Sequence, residues 1–132
     1  RLKIIDTCSP FIQDLIITGH DKDYIGALIW LNISACNNHL KNKSNLSLKE
    51  LTKNKEIIKN IIKGLVTHNI NNKGSSLKIK KLLFLSTAPN FDENEITDKG
   101  YINQSATLTS RRKFVDKIYS EKKLNEVIII DE

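Results

Sequence analysis

The chain has 132 residues, 39% of them hydrophobic and 27% charged, with a net charge of +6. That composition predicts one soluble globular domain with a core of moderate size. The longest apolar runs (Leu15 to Ile17, Ala27 to Leu31, Ile128 to Ile130) are too short to cross a bilayer, and no charged stretch leads into a long apolar one, so neither a membrane nor a secretion signal is expected.

Two cysteines, Cys8 and Cys36, make no disulfide framework, and reduced thiols in a cytoplasmic protein are expected. Methionine is absent and the chain opens at Arg1 inside an apolar-rich stretch, which is the expectation for a piece of a longer polypeptide. The positive charge is carried by lysine, with arginine only at positions 1, 111 and 112. Arginine is the residue preferred for bidentate phosphate and base contacts. The four Phe and three Tyr fall in no RNA-binding signature. A stand-alone basic module for nucleic acid or protein is therefore the alternative reading, and no nucleic-acid partner is expected.

In chain order, Leu2 to Cys8 has loose helical spacing that Ser9-Pro10 stops. Ile12 to Thr18 and Tyr24 to Leu31 are apolar runs around the polar loop Gly19 to Asp23, which predicts a β-hairpin. The second run is nearly continuous in apolar residues, as in a strand covered on both faces. A helical turn and a polar connector, Asn37 to Asn45, come next. Ser47 and Glu50 then form a capping box. Behind it Leu48, Leu51, Ile58, Ile61, Ile62, Leu65 and Val66 recur at helical spacing, predicting one helix over 47–68, with Asn71 to Gly74 ending it. Ile79 to Leu85 reads as a third strand. Residues 90–106 have no hydrophobic period and read as a loop. Leu108 to Tyr119 is helical with Thr107 or Thr109 as cap, and Val127 to Ile130 is a last strand or an apolar tail. The whole is a small α+β domain, a three-stranded sheet with helices packed on it and no internal boundary.

Most combinations of reactive residues reduce to structural readings. Cys36 and His39 lie three apart, but a closed zinc site needs four ligands and no second pair is suitably placed, so no metal site is expected. Gly74-Ser75-Ser76 lacks the second glycine and the Lys-Ser/Thr pair of a phosphate loop and reads as a turn. No Ser-His-Asp or Cys-His grouping stands out, and His20, with Asp21 and Asp23 nearby, reads as a solvated loop residue. The exception is Glu95-Ile96-Thr97-Asp98-Lys99-Gly100-Tyr101-Ile102-Asn103-Gln104. A long loop inside a compact domain is commonly functional, and a lysine beside a glycine can project its ammonium towards phosphate and carboxylate oxygens.

That decamer resembles the C-terminal loop of feruloyl-CoA synthetases, members of the adenylate-forming superfamily. Gln13-Asp14, the Gly19-His20-Asp21-x-Asp23-x-Ile25-Gly26 stretch, Gly74-Ser75-Ser76 and Leu108-x-x-Arg111-Arg112 fall in the family's order, so the resemblance spans nearly the whole chain. It implies that residues 1–132 are the C-terminal lid domain of an acyl-CoA synthetase whose large N-terminal domain binds ATP, Mg2+ and the carboxylic acid. The lid swivels between an adenylating pose and a pose that meets CoA. By the same resemblance Lys99 is the catalytic lysine and Thr97, Asp98, Gly100 and Tyr101 shape its loop. His20 and Asp21 would meet CoA or the N-terminal domain. The broader superfamily places its lysine after the glycine, as T-x-x-G-K; here Lys99 precedes Gly100, and Tyr101 takes the usual lysine position. A lid that loads a carrier-protein thiol is a further alternative. No ligand is expected on this chain by itself, and by itself it is expected to be inactive.

Overall fold

The computed structural model describes residues 1–41, 45–73 and 78–130. A short helix, α1 (Leu2–Thr7), leads into the hairpin of β1 (Ile12–Thr18) and β2 (Ile25–Leu31), and α2 (Ile33–Leu40) follows. A single turn, α3 (Leu48–Leu51), and the long α4 (Lys55–Asn71) then cross to β3 (Ile79–Phe84). After a long loop come α5 (Gln104–Ser110), α6 (Arg112–Ile118) and β4 (Val127–Ile129).

The sheet is four-stranded in the order β1-β2-β3-β4. β1 and β2 are antiparallel, β2 and β3 parallel, and β3 and β4 antiparallel. The parallel pair requires the long crossover that α3 and α4 supply. A three-stranded sheet was expected, and the run at Val127 is its fourth strand, with Val127 opposite Leu83 and Ile129 opposite Lys81.

Successive side chains of a strand point to opposite faces, and β2 feeds two cores. Ala27, Ile29 and Leu31 face α1 and α4, among Ile4, Ile57, Ile61 and Leu65. Leu28 and Trp30 face the α5–α6 layer with Ile16, Leu83 and Ile118. The central strand is buried on both sides, as its unbroken apolar sequence predicts.

The capping box forms as expected: Ser47 accepts from the Glu50 amide and Glu50 from the Ser47 amide. The helix it starts is short, however, and the single helix expected over 47–68 is two. Asn54 accepts from the amides of Glu56 and Ile57 and so starts α4 afresh. Asparagine favours such side-chain bonds over a helix interior. Ile61 and Leu65 of α4 are buried while Lys55, Lys59 and Lys63 are exposed, as the spacing implied; Ile57, outside the expected stripe, is buried too, and Ile58, counted on it, is only half-buried. Asn69 fixes the far end of α4 by exchanging two hydrogen bonds with the backbone of Ile79, at 2.7 and 2.9 Å. The Gly74-Ser75-Ser76 turn lies outside the described residues.

The last helical segment also differs from expectation. It starts at Gln104, four residues before the expected Leu108, because Asn103 accepts from the Ala106 amide. Thr107 and Thr109 lie inside it, their hydroxyls bonded back to the carbonyls of Asn103 and Ser105. Among the described residues no helix is long and apolar enough to cross a membrane.

Candidate functional site

β3 passes Leu85, whose amide donates to Ile29, and the chain turns over Trp30, whose indole N–H donates to the Thr87 carbonyl at 2.9 Å. Asn90 then folds the loop on itself, its side chain accepting from the amides of Asp92 and Glu93. The decamer that follows is a hairpin, with Ile96 bridging Ile102. Thr97 shapes its tip: its amide donates to Tyr101 at 2.8 Å, its hydroxyl accepts from the Tyr101 amide, and its carbonyl accepts from Gly100. Gly100 has a φ of +86°, a conformation that glycine adopts without steric cost. A β-carbon there would touch nothing within 4 Å, so backbone conformation alone calls for glycine.

Lys99 stands at the exposed tip. Among the described residues its ammonium has neither an ion pair nor a hydrogen bond. Asp98 beside it is exposed, and Tyr101 is one of the most exposed large side chains, at 71%. Below the tip, a groove of about 390 Å³ runs between Asp14, Trp30, Pro89, Ile96 and Gly100.

The base of the hairpin is built differently. Glu95 is 1% exposed and Arg111 is 7% exposed. The guanidinium grips the carboxylate with two parallel bonds, Nε to Oε2 at 2.7 Å and Nη2 to Oε1 at 2.9 Å, the strong fork geometry of arginine. Ser110 donates its hydroxyl to the same carboxylate, and the Asn90 amide adds another bond at 2.7 Å. Burial acts to raise the Glu95 pKa. The Arg111 and Ser110 hydrogen bonds, the Asn90 amide and the Arg111 charge outweigh it, so the carboxyl is held below its ordinary range. The remaining donors of Arg111 reach the Thr87 hydroxyl at 2.6 Å and the Ala88 carbonyl at 2.9 Å, and the guanidinium lies over the Trp30 ring.

His20 and Asp21 occupy the other end of the sheet, exposed on the turn between β1 and β2. Tyr119 and Tyr24 pack beneath this turn, with Lys22 over the Tyr119 ring and Lys80 and Lys81 over Tyr24. Lys99 lies where β2 and β3 finish and His20 where they begin, so the seven residues of β2, about 20 Å of strand, separate them. The structure does not bring these two sets together.

Cys36 is buried and donates to the Phe11 carbonyl, and burial pushes its thiol up to about 11. His39 instead packs edge-on against Phe11 and approaches Glu56. Among the described residues no group of three or more His, Cys, Asp or Glu could hold a metal ion. Sequence reading gave Glu95 and Arg111 no role. The signal was an acid at the head of the decamer and an arginine sixteen positions on, in a chain with few arginines.

Helices on both faces of a small mixed sheet, with an exposed hairpin at one end, make an α+β domain. The sequence model of the AMP-binding enzyme C-terminal domain matches residues 2–123, and the chain belongs to that family. No curated protein sequence matches it. Among solved structures it is similar to the A-PCP didomain of carboxylic acid reductase from Segniliparus rugosus in complex with AMP, with a TM-score of 0.56 and 10% identity. The match covers 89% of this chain and 15% of that one. At that identity the likeness is one of fold.

Proposed function

We propose that this domain is the C-terminal lid of an AMP-forming acid–CoA ligase acting in the cytoplasm, and that Lys99 serves its adenylation step. The reading needs a large N-terminal domain of the same polypeptide to hold ATP and the acid. One observation carries it: the Lys99 ammonium stands exposed and unpaired at the tip of a hydrogen-bonded hairpin. A flexible point charge so placed can meet the acid and the α-phosphate together. As the carboxylate oxygen bonds to the α-phosphorus, the bond to pyrophosphate breaks. The ammonium then offsets the charge developing on the shared oxygens. In the second step a thiol sulfur attacks the acyl carbon and AMP leaves. The His20–Asp21 end, a strand length away, is the face offered to the thiol donor.

The Glu95–Gln104 decamer supports a feruloyl-like aromatic acid as substrate. A second acceptor, a carrier-protein thiol, is favoured by the A-PCP didomain that shares the fold.

The test is acid-dependent pyrophosphate exchange. The polypeptide containing this domain is expected to exchange with a feruloyl-type acid and then to acylate CoA. The 132-residue chain by itself is expected to do neither, and exchange by the isolated chain would overturn the lid reading. Transfer to a carrier protein but not to CoA would establish the second acceptor. Tight binding of DNA or RNA, weakening steeply with salt, would replace both with a basic module.

A further inference from the structure

The tip of the Lys99 hairpin touches little, so its direction is set at its base. Thr97 to Tyr101 are all exposed. Glu95 gathers the base. Its carbonyl accepts from the Asn103 amide at 2.8 Å, closing the two arms, and its own amide donates to Asn90. Its side chain is locked to Arg111 at the junction of α5 and α6. Arg111 in turn holds Thr87 and Ala88, where the chain leaves β3.

We propose that Glu95 and Arg111 are positioning residues for the adenylation step: their buried ion pair fixes the Lys99 hairpin to the sheet, so that the lysine travels with the domain as one rigid arm. This rests on the reading of Lys99 above. Two residues of extended chain and the turn closed between Thr97 and Gly100 carry Lys99 about 10 Å from Glu95. A tilt of about 5° at the base therefore moves the tip by about 1 Å, and a misplacement of that size can cost about 100-fold in rate. The lysine stem is flexible and absorbs part of any tilt, so a loss of about tenfold to 100-fold is expected.

The test compares Glu95→Gln, Arg111→Lys and Lys99→Ala. In the polypeptide containing the domain, the first two should lower kcat for adenylation by about tenfold to 100-fold and leave thioester formation from supplied acyl-adenylate within a few-fold. In the 132-residue chain, amide hydrogen exchange at Thr97, Tyr101 and Asn103 should quicken while β2 stays protected. Equal loss in both half-reactions, or faster exchange across the whole sheet, would mean that the pair only holds the fold and would overturn the proposal. So would faster hairpin exchange with adenylation intact. Normal adenylation in Lys99→Ala would instead fail the reading of the lysine, whereas unchanged hairpin exchange in Glu95→Gln would fail the clamp by itself.

Discussion

The hydroxyl of Tyr119 lies 2.0 Å from the point where a β-carbon on Gly19 would sit. That oxygen is already engaged, paired with the Thr18 hydroxyl at 2.9 Å and donating to the Tyr24 carbonyl at 3.1 Å. It closes the turn that carries His20 and Asp21 from beneath. Gly19 also has a φ of +91°. Gly19→Ala therefore combines backbone strain with a clash, and a loss of about 3 kcal/mol is expected in denaturant unfolding. Adding Tyr119→Phe should restore only part of it, because the ring carbon that bears the hydroxyl is itself 3.0 Å from that point. Full rescue would contradict the strain argument.

Acid should weaken the base of the Lys99 hairpin. The Glu95 carboxyl is held below its ordinary range when folded. Its contribution is therefore complete above that range and is lost as pH falls through the folded value. Glu95→Gln should be less stable than wild type by about 3 kcal/mol near neutral pH, the cost of breaking a buried pair. The difference should shrink as pH falls through and below the ordinary carboxylate range and the wild-type carboxyl takes up its proton. Chemical denaturation across that interval measures it, and a constant difference would contradict the assignment.

Lys99→Ala should separate the two half-reactions of the proposed enzyme. Loss of one well-placed electrostatic contact should slow adenylation by about 100- to 1,000-fold and spare thioester formation from supplied acyl-adenylate. Tyr101→Phe is the control, since Tyr101 is 71% exposed and occupies the usual lysine position. Normal adenylation in Lys99→Ala, with a crippled Tyr101→Phe, would move the role to Tyr101.

The break between α3 and α4 gives a measurable difference between two caps. Asn54 satisfies two amides at the start of a seventeen-residue helix, so Asn54→Ala should cost about 1 kcal/mol. Ser47→Ala removes the cap of a four-residue turn and should cost less. Equal losses in thermal unfolding would argue that α3 and α4 behave as one helix.

Where the sequence could be read, local rules sufficed. The Ser47–Glu50 box and the hairpin around Gly19 depend on neighbours in sequence. The stripe of Ile61 and Leu65 was legible because both lie within α4, four residues apart and after the break at Asn54. Leu48 and Leu51 of α3 continued the apolar pattern before it and so hid the break. β4 was ambiguous because three residues become a strand only when β3 lies beside them. The Glu95–Arg111 pair was illegible for a similar reason. Its partners meet only after the hairpin and α5 have folded, and nothing in local spacing links them. The decamer was recognisable as a motif, yet its sequence did not tell a mobile loop from a hairpin with a buried base.

The last residue of that decamer also faces a different hazard. Gln104 donates its side-chain N–H to the Leu15 carbonyl at 3.1 Å, and β1 lies at one end of the strand order. An outermost strand offers unpaired backbone groups on which another chain can assemble. Gln104 occupies one of them, and α5 packs alongside β1. The segment that ends the hairpin therefore also covers part of the sheet margin, and a variant that loosens it should expose backbone on which a second chain can assemble.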